Sequence, residues 1–196
     1  MKIQVDRNIE LKQLKLSDSA DIFNTIISQR EYLGKWLPFV EYTKKIEDTE
    51  NFVDSVVNAT EDRFEYVFTI RNQNEFIGLI GLKSTDKANK KTEIGYWLSE
   101  KYQRQGIMTK SVSKLCDFAF NELGMNRIQI KCAVGNDPSK NIPKRLNFKF
   151  EGIERDGELL TGNVYTDLEV YSKLKNDWWI MEWFWLKQNQ FKLHYF

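Results

Sequence analysis

Between Glu93 and Gly124 the chain runs through a strand pattern, a loop with one glycine and an amphipathic helix, and this unit constrains the fold more than any other stretch. Glu93 to Ser99 (Glu-Ile-Gly-Tyr-Trp-Leu-Ser) has strand composition, whereas Met108 to Leu123 repeats apolar residues at helical spacing. Gly124 stands where a helix ends in a left-handed residue. Between them, Tyr102-Gln103-Arg104-Gln105-Gly106-Ile107-Met108-Thr109 leads from strand end to helix N-terminus. Such an end leaves several N–H groups unpaired and carries partial positive charge. Gly106 lets the backbone come close to a ligand, so the loop reads as a cradle for phosphate. The eight-residue spacing of a nucleoside-triphosphate loop with its Lys-Ser/Thr is absent, and so is the three-glycine dinucleotide fingerprint.

The flanking segments fix the fold class. Ile9 to Leu16 roughly alternates apolar and polar residues, and Ser17-Asp18-Ser19 offers an N-cap before Ala20, Ile22, Phe23, Ile26 and Ile27 on one helical face. A second helical pattern starts near Thr49. Phe64 to Arg71 and Phe76 to Lys83 are β-rich runs joined by Asn72-Gln73-Asn74, the signature of a hairpin. Arg127 to Val134 reads as a strand, Ser139 to Leu146 as a short helix capped by Ser139, and Phe148 to Glu154 as a strand. Asp156-Gly157 then opens a turn or loop, and Asp167 to Leu174 is the last strand. Early helices, an antiparallel meander and a strand-helix-strand-helix-strand tail make an α+β fold around one mixed, mostly antiparallel sheet.

Composition removes several functions. The 29 Lys+Arg against 28 Asp+Glu give a net charge of +1, which argues against nucleic acid as partner. A Ser-His-Asp triad, a Cys-His pair or a multi-histidine metal site would have to be built around the one histidine, His194, so none of the three, and no metal, is expected. Cys116 and Cys132 lack metal-ligand spacing and read as buried residues of a reducing, cytoplasmic compartment. No run reaches the roughly 18 apolar residues of a membrane span.

Several segments in order carry a resemblance. They are Leu33-Gly34-Lys35-Trp36-Leu37, Glu93-Ile94-Gly95-Tyr96-Trp97-Leu98, Gln103 to Thr109, Ala133-Val134-Gly135-Asn136 leading to Ser139, Pro143-Lys144-Arg145-Leu146-Asn147-Phe148 with Glu151-Gly152, and Asp156-Gly157 with Asp167 through Leu174. Over residues 7 to 177 the chain resembles the GNAT superfamily of N-acetyltransferases, and within it the RimJ/RimL type that acetylates ribosomal proteins. The resemblance implies a sheet whose central strands splay to hold acetyl-CoA as co-substrate. Tyr96, Trp97 and Leu98, chiefly through backbone groups, and Asn136 would flank its pantetheine arm. Gln103, Arg104, Gln105, Gly106, Ile107, Met108 and Thr109 would cradle the pyrophosphate, with the Arg104 and Lys110 side chains adding positive charge.

The resemblance also implies direct acetyl transfer from thioester to amine. Glu93 and Glu158 are the candidate bases, and Ser139 the donor to the departing thiolate. Many relatives place a tyrosine acid at the position where this chain has Phe148, which favours Ser139 for that role. Arg104, Met108 and Asn147 depart from the residues common in the superfamily at those points. The expected acceptor is a protein N-terminus, of a ribosomal protein beginning with Ser or Ala. Two alternatives stand beside it: a small amine such as a polyamine, amino acid or antibiotic, and a CoA-binding regulator without turnover. The acidic Glu47, Asp48 and Glu50 hint at a polyamine site, against their plain use at a helix start. Residues 1–177 thus read as the acetyltransferase domain. Residues 178–196, with four of the six tryptophans, read as an extension packing on that domain or on a second copy in a homodimer.

Overall fold

The computed structural model describes residues 1–60 and 65–178. Among these, eight strands form one sheet: β1 (Lys2–Gln4), β2 (Ile9–Gln13), β3 (Val67–Asn72), β4 (Glu75–Asp86), β5 (Lys91–Leu98), β6 (Arg127–Ala133), β7 (Lys149–Leu160) and β8 (Val164–Leu174). Their spatial order is β1-β2-β3-β4-β5-β6-β8-β7. Neighbours pair antiparallel except β5 and β6, which are joined through the helix Ile107–Asn121 and run parallel. The helices are α1 (Ser19–Ser28), α2 (Arg30–Gly34), α3 (Phe39–Tyr42), α4 (Ile46–Val57), α5 (Ile107–Asn121) and α6 (Asp137–Arg145).

Strand alternation sorts side chains onto two faces. Ile94, Tyr96 and Leu98 of β5 face the larger core, where Val112, Leu115, Cys116 and Ala119 of α5 are fully buried. Trp97 lies on the opposite face with Leu79, against Ile22 and Ile26 of α1, Leu33 of α2 and Val53 of α4. Glu93 shares the parity of Trp97 and therefore points to the α1–α4 face. Gly78 is required where β4 crosses β5, because a Cβ there would come within 2.3 Å of the Trp97 carbonyl oxygen.

Most elements fall where the sequence puts them, with instructive exceptions. The hairpin turn is Gln73-Asn74, Gln73 being left-handed, between paired Asn72 and Glu75. The β-rich run expected from Phe64 starts at Val67, and residues 61–64 lie outside the described ones. Asp156-Gly157 is not a turn. It lies inside β7, where the register against β8 slips between Glu154 and Glu158. Asp156 does adopt the left-handed conformation, with its N–H on Asp167 Oδ1 at 2.9 Å, but β8 keeps pairing on both sides. The excursion is therefore a bulge, and the chain reverses at residues 161–163 instead. Nor does Ser139 cap α6: Asn136 does, its side chain accepting the Ser139 N–H at 3.3 Å. With Asp137-Pro138 opening the helix, Ser139 sits in its first turn with its hydroxyl free for another use.

Trp178 ends the described chain inside the larger core. Its ring lies 5.9 Å from that of Phe120, and its indole N–H donates to Asp117 Oδ1 at 2.8 Å. The remainder of the expected extension, 179–196, lies outside the described residues. No helix among the described residues is long and apolar enough to cross a membrane.

Candidate active site

The parallel pairing of β5 with β6 lasts three residues: Lys91 with Arg127, Thr92 with Ile128, and Glu93 with Gln129. Beyond Glu93, β5 stays paired to β4 as far as Leu98, and β6 stays paired to β8 as far as Ala133. Each strand follows its antiparallel neighbour, so a wedge opens between them. Along Ile94–Leu98 the backbone groups facing β6 lack a ladder partner and offer the alternating donors and acceptors that an extended ligand uses. Trp97 and Leu98 are about nine-tenths buried, so what they present to the wedge is backbone.

The wedge opens toward the loop that precedes α5. There Arg104 and Gly106 both take left-handed conformations (φ 60° and 73°), which turns the chain sharply into the helix. The first helical bond runs from the Lys110 N–H to the Gly106 carbonyl at 3.0 Å, leaving the N–H groups of Ile107, Met108 and Thr109 outside the helical ladder. α1, α4 and α6 each carry a carboxylate in their first turn, whereas α5 has none. Its positive end is left for an anion. Arg104 is exposed on the loop. Lys110, expected to face a phosphate, pairs with Asp6 of the β1–β2 turn at 2.8 Å. That ammonium, together with the Asn8 N–H, holds the Asp6 carboxyl below its usual range.

Two residues with no sequence signal fasten this loop. Gln29 donates to Ser99 Oγ at 2.9 Å and accepts the Glu100 N–H at 2.8 Å. Tyr32 accepts from the Gln103 side chain, and burial raises its hydroxyl pKa. Gln105 turns back to the Lys101 carbonyl at 3.0 Å.

On the α5–α6 side the wedge is floored by three polar side chains. Tyr96 donates its hydroxyl to the Ser139 carbonyl at 3.0 Å, and Ser139 Oγ lies 3.2 Å from Tyr96 Oη and 3.3 Å from Cys132 Sγ. Burial keeps the Tyr96 hydroxyl well above its ordinary pKa and lifts the Cys132 thiol to about 11, so both are neutral near pH 7. From sequence, Tyr96 reads as contributing chiefly backbone and Cys132 as a buried residue, which it is; what the sequence does not show is that the two side chains meet Ser139. Strand parity held the missing signal, because both side chains fall on the α6 face.

On the other face stand the two carboxylates. Glu93 is buried at the apex of the wedge with both oxygens engaged: Oε1 by Lys83 at 2.9 Å and Oε2 by Gln129 at 3.0 Å. Glu158 is half-buried on β7. Desolvation raises its pKa and the nearby Glu93 adds to this, while Lys83 and Lys131 oppose it. Lys131 pairs with Glu154 at 2.6 Å. The two expected bases thus belong to one electrostatic cluster around Lys83. Above it, the tip of the β7–β8 hairpin reaches α2, where Thr161 Oγ1 donates to the Gly34 carbonyl at 3.1 Å. An open cavity of about 540 Å³ lies between them, lined by Arg30, Lys35, Glu41, Thr161 and Val164 among others. Glu47 and Asp48 lie in the first turn of α4 rather than in this cavity, Asp48 accepting the Lys44 and Lys45 N–H groups. Among the described residues no group of His, Cys, Asp and Glu is arranged to hold a metal.

Residues 8–149 match the acetyltransferase (GNAT) domain. The chain is 34% identical over 176 residues to a putative ribosomal N-acetyltransferase of Bacillus subtilis, covering 89% of this chain and 96% of that protein. It is 28% identical over 172 residues to the ribosomal-protein-serine acetyltransferase of Escherichia coli, covering 88% and 96%. Among solved structures, a RimL ribosomal-protein α-N-acetyltransferase in complex with coenzyme A superposes with a TM-score of 0.85 at 27% identity, covering 90% of this chain and 99% of the other. A splayed central sheet with an anion-binding helix end is the frame of an acyl-CoA-using transferase. This chain belongs to the GNAT acetyltransferase family and is an N-acetyltransferase.

Proposed function

We propose that the protein transfers acetyl from acetyl-CoA to the α-amine of a protein N-terminus, with a ribosomal protein as acceptor. The observation that carries the reading is the wedge itself, whose unpaired backbone between Ile94 and Leu98 lies between a thiolate-side hydroxyl and an acceptor-side carboxylate cluster. The pantetheine arm lies along Tyr96, Trp97 and Leu98, with Asn136 at the opposite lip. The pyrophosphate lies over Gln103–Thr109, held by the N–H groups of Ile107 to Thr109. The free donors along β5 polarise the thioester carbonyl.

Glu158 is the base of this mechanism, acting through water, and Glu93 is not. Both Glu93 oxygens already serve Lys83 and Gln129, whereas burial shifts Glu158 toward the pKa of its substrate. An α-amine with pKa ~7.7–8 costs about 1 kcal/mol to deprotonate near pH 7, against about 4–5 for a lysine at ~10.4. A single carboxylate suffices for the first and serves the second poorly. The neutral amine attacks the carbonyl carbon and the C–N bond forms, the nitrogen gives up its extra proton to water, and the C–S bond breaks as the amide carbonyl re-forms. Ser139 donates a hydrogen bond to the sulfur, which takes its proton from solvent as CoA leaves.

A thiol-release assay with acetyl-CoA tests the reading against peptides with free Ser or Ala N-termini, lysine ε-amines and spermidine. Turnover confined to the free N-termini supports it. Turnover on spermidine alone moves the acceptor to a small amine.

A further inference from the structure

We infer that Tyr96 is a positioning residue that aims the Ser139 hydroxyl at the sulfur of the leaving CoA. The inference deepens the reading above and rests on it for the role of Ser139. A serine hydroxyl has one proton and rotates freely about its Cβ–Oγ bond, so its direction is set by neighbours. Here the neighbours are unequal in kind. Tyr96 has one proton as well, and it is committed to the Ser139 carbonyl at 3.0 Å. Towards Ser139 Oγ at 3.2 Å the tyrosine therefore offers lone pairs alone. Cys132 Sγ at 3.3 Å is a weak acceptor. The Ser139 proton is thus shared between two neutral acceptors, the sulfur a weak one, and a thiolate forming at the mouth of the wedge outcompetes both. The turn of the hydroxyl needs no backbone movement.

Tyr96 also fixes where that rotation takes place. Its side chain leaves β5 on the α6 face, passes beneath the wedge and grips the first turn of α6 through the Ser139 carbonyl. β5 and β6 share no ladder at this level, and Asn136, the N-cap of α6, holds the same turn by accepting the Ser139 N–H. The tyrosine thereby sets the width of the wedge floor and the position of Oγ together. Its own charge never enters: the hydroxyl stays protonated and transfers no proton. During the reaction the C–S electron pair remains on sulfur, Ser139 O–H donates to it, and the thiolate is protonated by solvent on release.

The test is a double-mutant cycle of Tyr96→Phe and Ser139→Ala in the full chain, with kcat and the KM for acetyl-CoA measured separately. Thermal melts of all variants establish that each is folded. The expected result is a 10- to 100-fold loss of kcat in Tyr96→Phe with KM for acetyl-CoA within about threefold of wild type. The double variant should lose no more than Ser139→Ala does alone, because Tyr96 acts through that hydroxyl. Ser139→Thr, which keeps a hydroxyl, should retain part of the rate and lose it when Tyr96→Phe is added. A double variant that loses the product of the two single losses overturns the inference, as does a Tyr96→Phe enzyme with wild-type kcat. A Ser139→Ala enzyme at wild-type rate overturns the reading of Ser139 as well, so the two failures are told apart.

Discussion

Gln29, at the junction of α1 and α2, donates to Ser99 Oγ at 2.9 Å across 70 residues of sequence. Its carbonyl also takes the Glu100 N–H, so one half-buried amide fastens the start of the loop that leads to α5. The Gln29→Ala enzyme should keep its fold, because each of these bonds contributes only about 1 kcal/mol. The loop loses its pre-set position, and the KM for acetyl-CoA should rise about 3- to 10-fold with kcat changed less than twofold. Initial-rate kinetics with acetyl-CoA as varied substrate checks this. A raised KM for the acceptor alone would assign Gln29 to the other side of the wedge.

The Lys83–Glu93 pair at 2.9 Å makes a prediction about pH. Glu158 has a raised pKa, to which Glu93 contributes and which Lys83 opposes. A base must be deprotonated, so the kcat profile falls as pH drops through the Glu158 pKa. Glu93→Gln removes a neighbouring negative charge and should move that limb to lower pH. Lys83→Met removes a positive charge and should move it to higher pH. Glu158→Gln should lower kcat by about 10²- to 10⁴-fold and abolish the limb. The profiles are read at saturating acceptor, where they report the bound complex. A limb that moves the same way in both variants would remove Glu158 from the role of base.

The sequence makes the frame legible because the frame is periodic. β5 and α5 are long enough for their alternating and helical patterns to be read, and the hairpin of β3 and β4 announces itself by its turn residues. α2 and α3, five and four residues long, have too few turns to display a face, and they line the cavity beside the β7–β8 hairpin. Asp156-Gly157 misleads in a different way. Its left-handed Asp is compatible with a turn or a bulge, and only the pairing partner β8 decides. The carboxylates Glu93 and Glu158 can be singled out from sequence, but their different surroundings cannot, because Lys83 and Gln129 join Glu93 through the sheet register. Ser139 shows the same limit: Asn136 takes over the cap and frees its hydroxyl for the wedge.

At the far edge of the sheet, Arg127 of β6 and Ser172 of β8 converge on Glu151 of β7. The Arg127 Nη1 to Glu151 Oε1 distance is 2.7 Å, and Ser172 Oγ lies 2.6 Å from the same oxygen. The guanidinium, chiefly, holds the Glu151 carboxyl down at about 2 against an ordinary 4.5. A depressed carboxylate stabilises the fold fully above pH 4.5 and loses that contribution as pH falls through 4.5 toward 2. The pair is partly solvent-exposed, so after screening its contribution is about 1 kcal/mol. Glu151→Gln should therefore melt a few degrees lower than wild type at pH 7, and the gap should close by pH 2–3. Melting curves from pH 2 to 7 measure it. A gap independent of pH would mean that packing, not charge, holds this edge.

Lys173 on β8 is 1% exposed, which is unusual for an ammonium. Its Nζ donates to the carbonyls of Leu146 at 2.8 Å and Asn147 at 3.2 Å, where α6 has ended and Asn147 turns left-handed. The Trp178 ring lies 5.3 Å from Nζ, and burial lowers the pKa of the amine. Two effects compete when the charge is removed. Lys173→Met spares the desolvation of a cation, but it strips two carbonyls at the negative end of α6 of their donor. The second effect should win, because a methionine fills the volume of the stem and offers nothing to those oxygens. A loss of about 2 kcal/mol is expected, or about 4–8 °C in Tm for a chain of this size. Since α6 carries Ser139 in its first turn, the variant should also lose kcat by a few-fold while KM for acetyl-CoA holds. Lys173→Arg, which restores a donor but lengthens the side chain in a closed site, should recover part of the melting temperature. A Lys173→Met enzyme as stable as wild type would show that the carbonyls find water, and that the α6 terminus does not depend on this amine.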